Sequence, residues 1–302
     1  MRICSLVPGA TEVLFALGLG GEVVGVTHEC DWPAEAASRP AVTAAALDTD
    51  ELDGAEIDAR IAAAARDGSP LYAIDEAAWA AVAADVVVVQ ELCTVCAVST
   101  DDVRDITAAC GIEAELVVYS PGTLDGVGDA IAELGARLGA RVRGAELADA
   151  FRRRLAAVDG LVAGAARPRV YVAEWLDPPF AAGHWVPDMV ARAGGIDVAG
   201  TAGEPSFRMR WTDVAALAPE AVVLAPCGYD LDRTLAEVDP LELAGHLLGT
   251  PASAESRVFA VDANALFSRP GPRLADGVAL LAHLLHPELA SDPGLPWARV
   301  ML

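Results

Sequence analysis

Lysine is absent from the chain: all 21 basic residues are arginine, against 44 acidic residues, for a formal net charge of −23. No lysine can act as a Schiff base or general base, and no phosphate loop of the G-x-x-x-x-G-K-[ST] type can form. So acidic a surface repels nucleic-acid phosphates and anionic membrane surfaces alike, which excludes nucleic acid as a partner class. Loss of lysine beside abundant alanine, arginine and glycine also matches GC-rich coding, so part of the bias is mutational. No apolar run reaches the ~20 residues that a membrane-spanning helix needs. Catalytic motifs are missing as well: there is no G-x-S-x-G elbow, no H-E-x-x-H and no dinucleotide fingerprint after the first strand. Gly126-Val127-Gly128 follows no closely preceding strand. Aromatic residues make up only 5 % of the chain, so their distribution carries information.

What is present is a large apolar content. With 302 residues and 54 % hydrophobic side chains, the chain is long enough for one large domain or for two lobes. Each lobe would hold about 120–150 residues. Short β-branched runs alternate with alanine-rich helical segments, which predicts an α/β fold with parallel sheets. Expected strands in the first half are Arg2–Val7, Val23–Val26, Val86–Gln90 and Glu115–Val118, with helices at Glu56–Arg66, Glu76–Ala83 and Asp101–Cys110. In the second half the strands are Arg169–Ala173, Ala221–Leu224 and Val258–Val261. Their helices are Val186–Ala193, Asp232–Leu248 and Arg273–Leu285. Between them, residues 123–166 carry Ile131, Leu134, Leu138, Leu147, Phe151, Leu155 and Val158 at helical spacing. Gly139 and Gly144 mark a break into two helices. The second, Gly144–Ala165, would be roughly 30 Å long at 1.5 Å per residue. The expectation is two parallel-sheet α/β lobes, 1–122 and 167–302, bridged by a backbone helix within 123–166, with a cleft between the lobes.

Met1-Arg2 and the apolar stretch to Gly21 superficially resemble a signal peptide. Glu12 interrupts that stretch, no small-residue cleavage site follows, and the segment reads better as strand Arg2–Val7 and helix Ala10–Leu19. A cytoplasmic protein is expected. The six cysteines agree weakly, since reducing compartments do not use them as staples.

Polar and aromatic residues collect in loops that follow strands: Thr27–Pro33, Leu92–Cys96, Glu174–Trp185, Pro226–Tyr229 and Asn264–Pro270. Carboxyl ends of parallel strands line ligand crevices in open α/β sheets. Trp32, Trp175, Trp185 and Trp211, four of the six tryptophans, fall in or near these loops. Their concentration there points to a large, flat ligand; the competing reading is that each indole packs beneath its own loop. Cys93-x-x-Cys96, with His28 and Cys30, would supply a soft-metal site for zinc or a similar ion, or a redox pair. Buried thiols, however, are commonly small hydrophobes. His246, His283 and His286 read as structural.

These loops carry a family resemblance that covers essentially the whole length. Ser5-Leu6-Val7-Pro8-Gly9-Ala10-Thr11-Glu12 running to Leu17-Gly18, then Val24-Gly25-Val26 and Cys30-Asp31-Trp32-Pro33, form its first part. Asp177-Pro178-Pro179-Phe180 with Gly183, Ala193-Gly194-Gly195 and Phe267-Ser268-Arg269-Pro270-Gly271-Pro272-Arg273 continue it. In order and spacing they resemble the cobalamin-binding, helical-backbone class of ABC-transporter substrate-binding proteins. The resemblance implies two α/β lobes on a stiff helical spine. It implies a ligand site bordered by Pro8, Ala10, Asp31, Trp32, Asp177, Phe180, Trp211, Phe267 and Arg269. Trp175 and Trp185 fall in the same loops, and Arg208, Arg210 and Arg269 supply the cations of the expected cleft. A corrin face stacks on aromatic walls, and its rim amides need scattered donors and acceptors. His28, Cys93 or His184 could approach the cobalt, imidazole and thiolate both being competent ligands. Family members dedicated to transport dock their permease through one glutamate per lobe; Glu56 is the first candidate here, and on the second lobe only Asp213 offers itself.

The sequence thus points to a non-enzymatic, cytoplasmic binder of cobalamin or a related corrinoid. Its rivals are a binder of a metal ion or metal chelate through the His/Cys cluster, a redox or metal-dependent enzyme built on the cysteines, and a conventional extracytoplasmic importer component with an ABC permease as partner.

Overall fold

The computed structural model describes residues 1–49, 52–91 and 100–302. The chain separates into two compact units. Unit 1 comprises Met1–Leu52, Ala59–Pro121 and Gly126–Ala150; unit 2 comprises Asp53–Asp58, Gly122–Asp125 and Phe151–Leu302.

Unit 1 holds strands β1 (Ile3–Ser5), β2 (Val23–Val26), β3 (Thr43–Ala45), β4 (Tyr72–Ile74), β5 (Val86–Val89) and β6 (Glu115–Val118). Four of them form a sheet in the order β2-β1-β5-β6, every pairing parallel. β5 is the four-valine run, buried along its whole length, as a central parallel strand covered on both faces must be. β3 and β4 pair antiparallel as a separate ribbon that the sequence pattern did not announce. Helices α1 (Pro8–Ala16), α2 (Gly54–Asp67), α3 (Glu76–Val82), α4 (Thr100–Ala109), α5 (Leu124–Arg137) and α6 (Arg141–Leu161) accompany these strands. α1 begins earlier than expected because Pro8 sits in its first turn, where a missing N–H costs nothing.

The long helix is α6, 21 residues, with the boundary between the units falling at Ala150/Phe151 inside it. Gly139, at φ +76°, lies in the break that precedes it. Gly144 does not break the helix; it lies one turn inside α6, against Gly135 of α5. A Cβ added at Gly135 would stand 2.7 Å from the Gly144 Cα, so both positions are bare to let two backbones approach.

Unit 2 contains β7 (Arg169–Leu176), β8 (Pro179–Ala181), β9 (Ile196–Asp197), β10 (Phe207–Arg208), β11 (Ala221–Leu224), β12 (Val258–Val261) and β13 (Trp297–Arg299). The sheet runs β10-β8-β7-β11-β12-β13, with β9 beside β7. Its centre, β7-β11-β12, is parallel, whereas β8, β10 and β13 are added antiparallel. Tyr171, Val222, Leu224, Val258 and Ala260 from these strands anchor one core cluster. The helices are α7 (Val186–Arg192), α8 (Trp211–Ala216), α9 (Leu231–Glu237), α10 (Pro240–His246), α11 (Pro251–Ala254), α12 (Ala263–Leu266) and α13 (Leu274–Leu285). The single helix expected over Asp232–Leu248 is two. Pro240 cannot donate into a helix interior, and the Asp239 carboxylate instead caps α10, accepting from the amides of Leu241 (2.8 Å) and Glu242 (3.2 Å). No helix among the described residues is long and apolar enough to cross a membrane.

Candidate functional site

In unit 2 the loops at the carboxyl ends of the three parallel strands come together. β7 runs three residues past Ala173, then turns at Asp177-Pro178 into β8. The Cys227 amide donates to the Glu174 carbonyl, the Asn264 amide to the Tyr229 carbonyl, and the Gly228 amide to Ser268 Oγ. The Trp185 indole Nε1–H donates to the Phe267 carbonyl at 2.7 Å. Segments 174–185, 226–229 and 264–270 are therefore one hydrogen-bonded surface.

Its aromatic residues serve the fold to differing degrees. Trp185 and Phe267 are buried, at 6 % and 3 % exposure, and Arg269 is buried beside them. Trp175 is half-buried; its Nε1–H donates to the Gly54 carbonyl at 3.0 Å, and its ring meets Tyr229 edge-on. Trp211 has one face stacked on His246 at 5.4 Å and its ring edge-on to Tyr171. Phe180 lies under the Arg208 guanidinium, which also binds the Asp58 carboxylate at 2.7 Å. Arg210 is paired with Asp213 in the same way, at 2.8 Å. An anionic ligand group would have to compete with carboxylates for both of these arginines.

Carboxyl groups around this surface are shifted. Burial, followed by repulsion from Glu242, Asp53 and Asp58, raises the pKa of Asp177, with His246 opposing. Burial also holds Glu174 above the usual carboxylate range, although its carboxylate accepts from the Gly183 amide and the Ser206 hydroxyl and feels His184. His184 itself is half-buried at φ +52°, its ring against Trp185. Glu174 was not singled out in the sequence, because an acidic residue at a strand end gives no sign of burial.

In unit 1 the loop after β2 carries the candidate residues. Pro8 is partly exposed at the start of α1, whereas the Ala10 side chain is fully buried. Asp31 is exposed, and Trp32 presents 51 % of its surface, the most of the four loop tryptophans. His28 is exposed but held. Its Nδ1 lies 2.9 Å from Thr43 Oγ1, and its ring centroid stands 5.8 Å from that of Tyr72. Thr43 and Tyr72 belong to the β3–β4 ribbon, and neither was legible as a partner of His28.

Cys30 turns inward, its Sγ 3.1 Å from Thr11 Oγ1. Its neighbour Cys4 has its thiol pushed up to about 12, by burial first and by Cys30 second, the state of an inert core thiol. Cys4, Cys30, Cys110 and Cys227 are free thiols. Cys93 and Cys96 lie outside the described residues. Among the described residues no cluster of three or more His, Cys, Asp or Glu side chains could hold a metal ion. Of the two acids expected to meet a permease, Asp213 is neutralised by Arg210. Glu56 is exposed and reciprocally capped with Asp53 at the start of α2: the Asp53 amide donates to Glu56, and the Glu56 amide to Asp53.

No protein-family model and no curated protein matches the chain. Solved structures do, over nearly its full length. A periplasmic heme-binding protein from Pseudomonas aeruginosa aligns with a TM-score of 0.73 at 21 % identity, covering 97 % of this chain and 95 % of that one. The periplasmic heme-binding protein BhuT, solved with two hemes, gives 0.70 at 22 % identity, covering 96 % and 99 %. The periplasmic vitamin B12 binding protein BtuF of Vibrio cholerae gives 0.67 at 19 % identity, covering 94 % and 96 %. The chain therefore has the fold of these periplasmic binding proteins: two α/β lobes joined by a long backbone helix.

Proposed function

We propose that the chain is a non-enzymatic binding protein for a metal-bearing tetrapyrrole, with cobalamin or a related corrinoid as the leading ligand and heme as its competitor. The observation that carries this reading is the full-length likeness in fold to proteins that bind vitamin B12 and heme. The strand-end loops of each unit support it separately: unit 1 has a half-exposed indole at Trp32, and unit 2 has the half-buried Trp175 among the backbone polar groups of 174–185, 226–229 and 264–270. That mixture suits an amide-rimmed macrocycle better than a compact charged metabolite. Titrating the protein with cyanocobalamin and, separately, hemin while following tryptophan fluorescence tests the choice. Saturable quenching at one equivalent by cobalamin, with weaker quenching by hemin, is expected; the reverse order would make heme the ligand.

A conventional ABC-importer role fits the same fold, since an ABC-transporter substrate-binding protein from Listeria monocytogenes aligns at a TM-score of 0.71. The paired Asp213 offers a permease little free charge, so our reading favours a cytoplasmic binder. The native N-terminus decides between them: mass spectrometry should find the chain beginning at Met1 or Arg2, and a processed or lipid-bearing start would favour the importer.

A further inference from the structure

The arginines on the strand-end face of unit 2 are held by carboxylates. Arg208, in β10, lies over the Phe180 ring, its guanidinium 5.6 Å from the ring centroid. Its Nη2 donates to both oxygens of Asp58, at 2.7 and 2.8 Å. The Asp58 side chain is 15 % exposed, so solvent screens this pair less than an ordinary surface ion pair. Arg210 is engaged as a fork: its Nε donates to one oxygen of Asp213 and its Nη2 to the other, each at 2.8 Å. Both members of that second pair are more exposed, and it is the easier of the two to open. Arg269 is buried inside the fold. Arg233 stands over the Tyr229 ring at 5.1 Å, where the charges of Glu237 and Asp53 are also felt.

Further acids crowd the same place. Asp177 lies in the turn between β7 and β8, beside Phe180. Its carboxyl is held above the usual carboxylate range by burial first and then by Glu242, Asp53 and Asp58, so these charges meet at one turn. Glu237 accepts the Gly54 amide, and the Gly54 carbonyl accepts the Trp175 indole N–H at 3.0 Å. These two bonds bring the Asp53–Asp58 segment, with its acids, against the aromatic residue. A macrocycle laid on Trp175 and Phe180 therefore meets a rim of carboxylates, with Arg208 and Arg210 already balanced. Like charges brought together across a contact are strongly disfavoured, whereas neutral amides pair with either sign.

We propose that Asp58, assisted by Asp213, is a specificity-determining residue: by occupying the arginines it makes this face reject macrocycles with free carboxylates and admit neutral or cationic, amide-rimmed corrinoids. The inference rests on the tetrapyrrole reading above and deepens it to a ligand class. A porphyrin propionate reaching this face has to displace an aspartate from its arginine and then remain beside the acid it displaced. The amides of a corrin ask for no such exchange. The phosphate of the cobalamin nucleotide loop gains nothing here either, so cobinamide, which lacks it, should bind at least as tightly as cobalamin.

The test titrates the full chain with cobinamide, cyanocobalamin, hemin and hemin dimethyl ester, followed by visible absorption in one buffer. Wild type should bind the dimethyl ester on the order of 10-fold more tightly than hemin, since the two differ in their carboxylate charges. That gap should narrow as salt is raised. Asp58→Asn keeps a hydrogen-bond acceptor but removes the charge, and should raise hemin affinity relative to cyanocobalamin on the order of 10-fold. Adding Asp213→Asn should extend the gain. Adding Arg208→Gln to Asp58→Asn should cancel it, which a merely structural role of Asp58 would not do. The ester comparison needs no variant, so it stands even where a substitution lowers the thermal midpoint. If wild type binds hemin as tightly as its dimethyl ester, or if folded Asp58→Asn keeps the wild-type ratio of hemin to cobalamin affinity, the specificity assignment falls while the binding function stands. If wild type takes up none of the four, both fall.

Discussion

Two of the loop tryptophans make opposite predictions. Trp185 is buried, and its indole N–H satisfies the Phe267 carbonyl at 2.7 Å. Replacing it with phenylalanine keeps most of the apolar contact but leaves that carbonyl without its donor. An unsatisfied buried acceptor costs about 1–3 kcal/mol, and the smaller ring adds a cavity penalty on top. For a unit of roughly 150 residues each kcal/mol lowers Tm by about 2–4 °C, so Trp185→Phe should drop the transition by several degrees. Trp32 is half-exposed, and Trp32→Phe should move Tm by no more than about 0.5 kcal/mol allows. Its effect belongs in ligand affinity instead, because aromatic stacking area is what the loop contributes. Calorimetry of the full chain measures the first quantity, and macrocycle titration of the same samples measures the second. If Trp32→Phe proves as destabilising as Trp185→Phe, or if Trp185→Phe leaves Tm unchanged, the division of these indoles into structural and ligand-facing is wrong.

The remaining predictions concern packing and pH. Gly135→Val would drive a side chain into the Gly144 backbone, 2.7 Å from the first added carbon, and should cost at least the 1–3 kcal/mol typical of overpacking; Gly160→Ala, with open space around it, should not destabilise. Glu174 is held above its ordinary pKa by burial, so the folded state keeps the proton that the unfolded state gives up first. The stability linked to that group is complete below the usual carboxylate range and is lost as pH rises through the folded pKa. Thermal scans from pH 4 to 8 should show wild type losing stability relative to Glu174→Gln as pH increases; a difference constant over that range would refute it.

Much of the architecture was legible because its signals are local. The Val86–Val89 run reads as a buried strand, and the apolar spacing through Ile131, Leu134, Phe151 and Leu155 reads as helix whatever surrounds it. What escaped depends on partners distant in sequence. β8, β10 and β13 are two or three residues long and exist because a neighbouring strand edge is open to them. The Gly144 assignment failed for the same reason: a glycine that breaks a helix and a glycine that admits a neighbouring helix look alike until Gly135 is seen against it. The Asp239-Pro240 break carried a readable signal, a capping acid before a proline, that the apolar periodicity of Asp232–Leu248 masked.

The candidate site divides along the same line. The loops themselves could be located, since strand ends and clustered tryptophans are visible in one dimension. Which indoles are consumed by packing could not, because Trp185 finds its acceptor 82 residues away. Nor does an isolated Thr43 in an alanine-rich segment announce that its hydroxyl holds the ring of His28, 15 residues earlier. Cationic surface proved equally deceptive: Arg208 and Arg210 look available in sequence, yet each already faces a carboxylate.

The central claim is that this chain retains a metal-bearing tetrapyrrole. The most direct measurement is to incubate the purified protein with one equivalent of cobalamin, and in parallel with hemin or zinc, pass each sample through a desalting column and measure visible absorbance and metal content. The account predicts a coloured protein fraction carrying close to one macrocycle per chain. A colourless protein after both macrocycles, with stoichiometric zinc retained in its place, would contradict it.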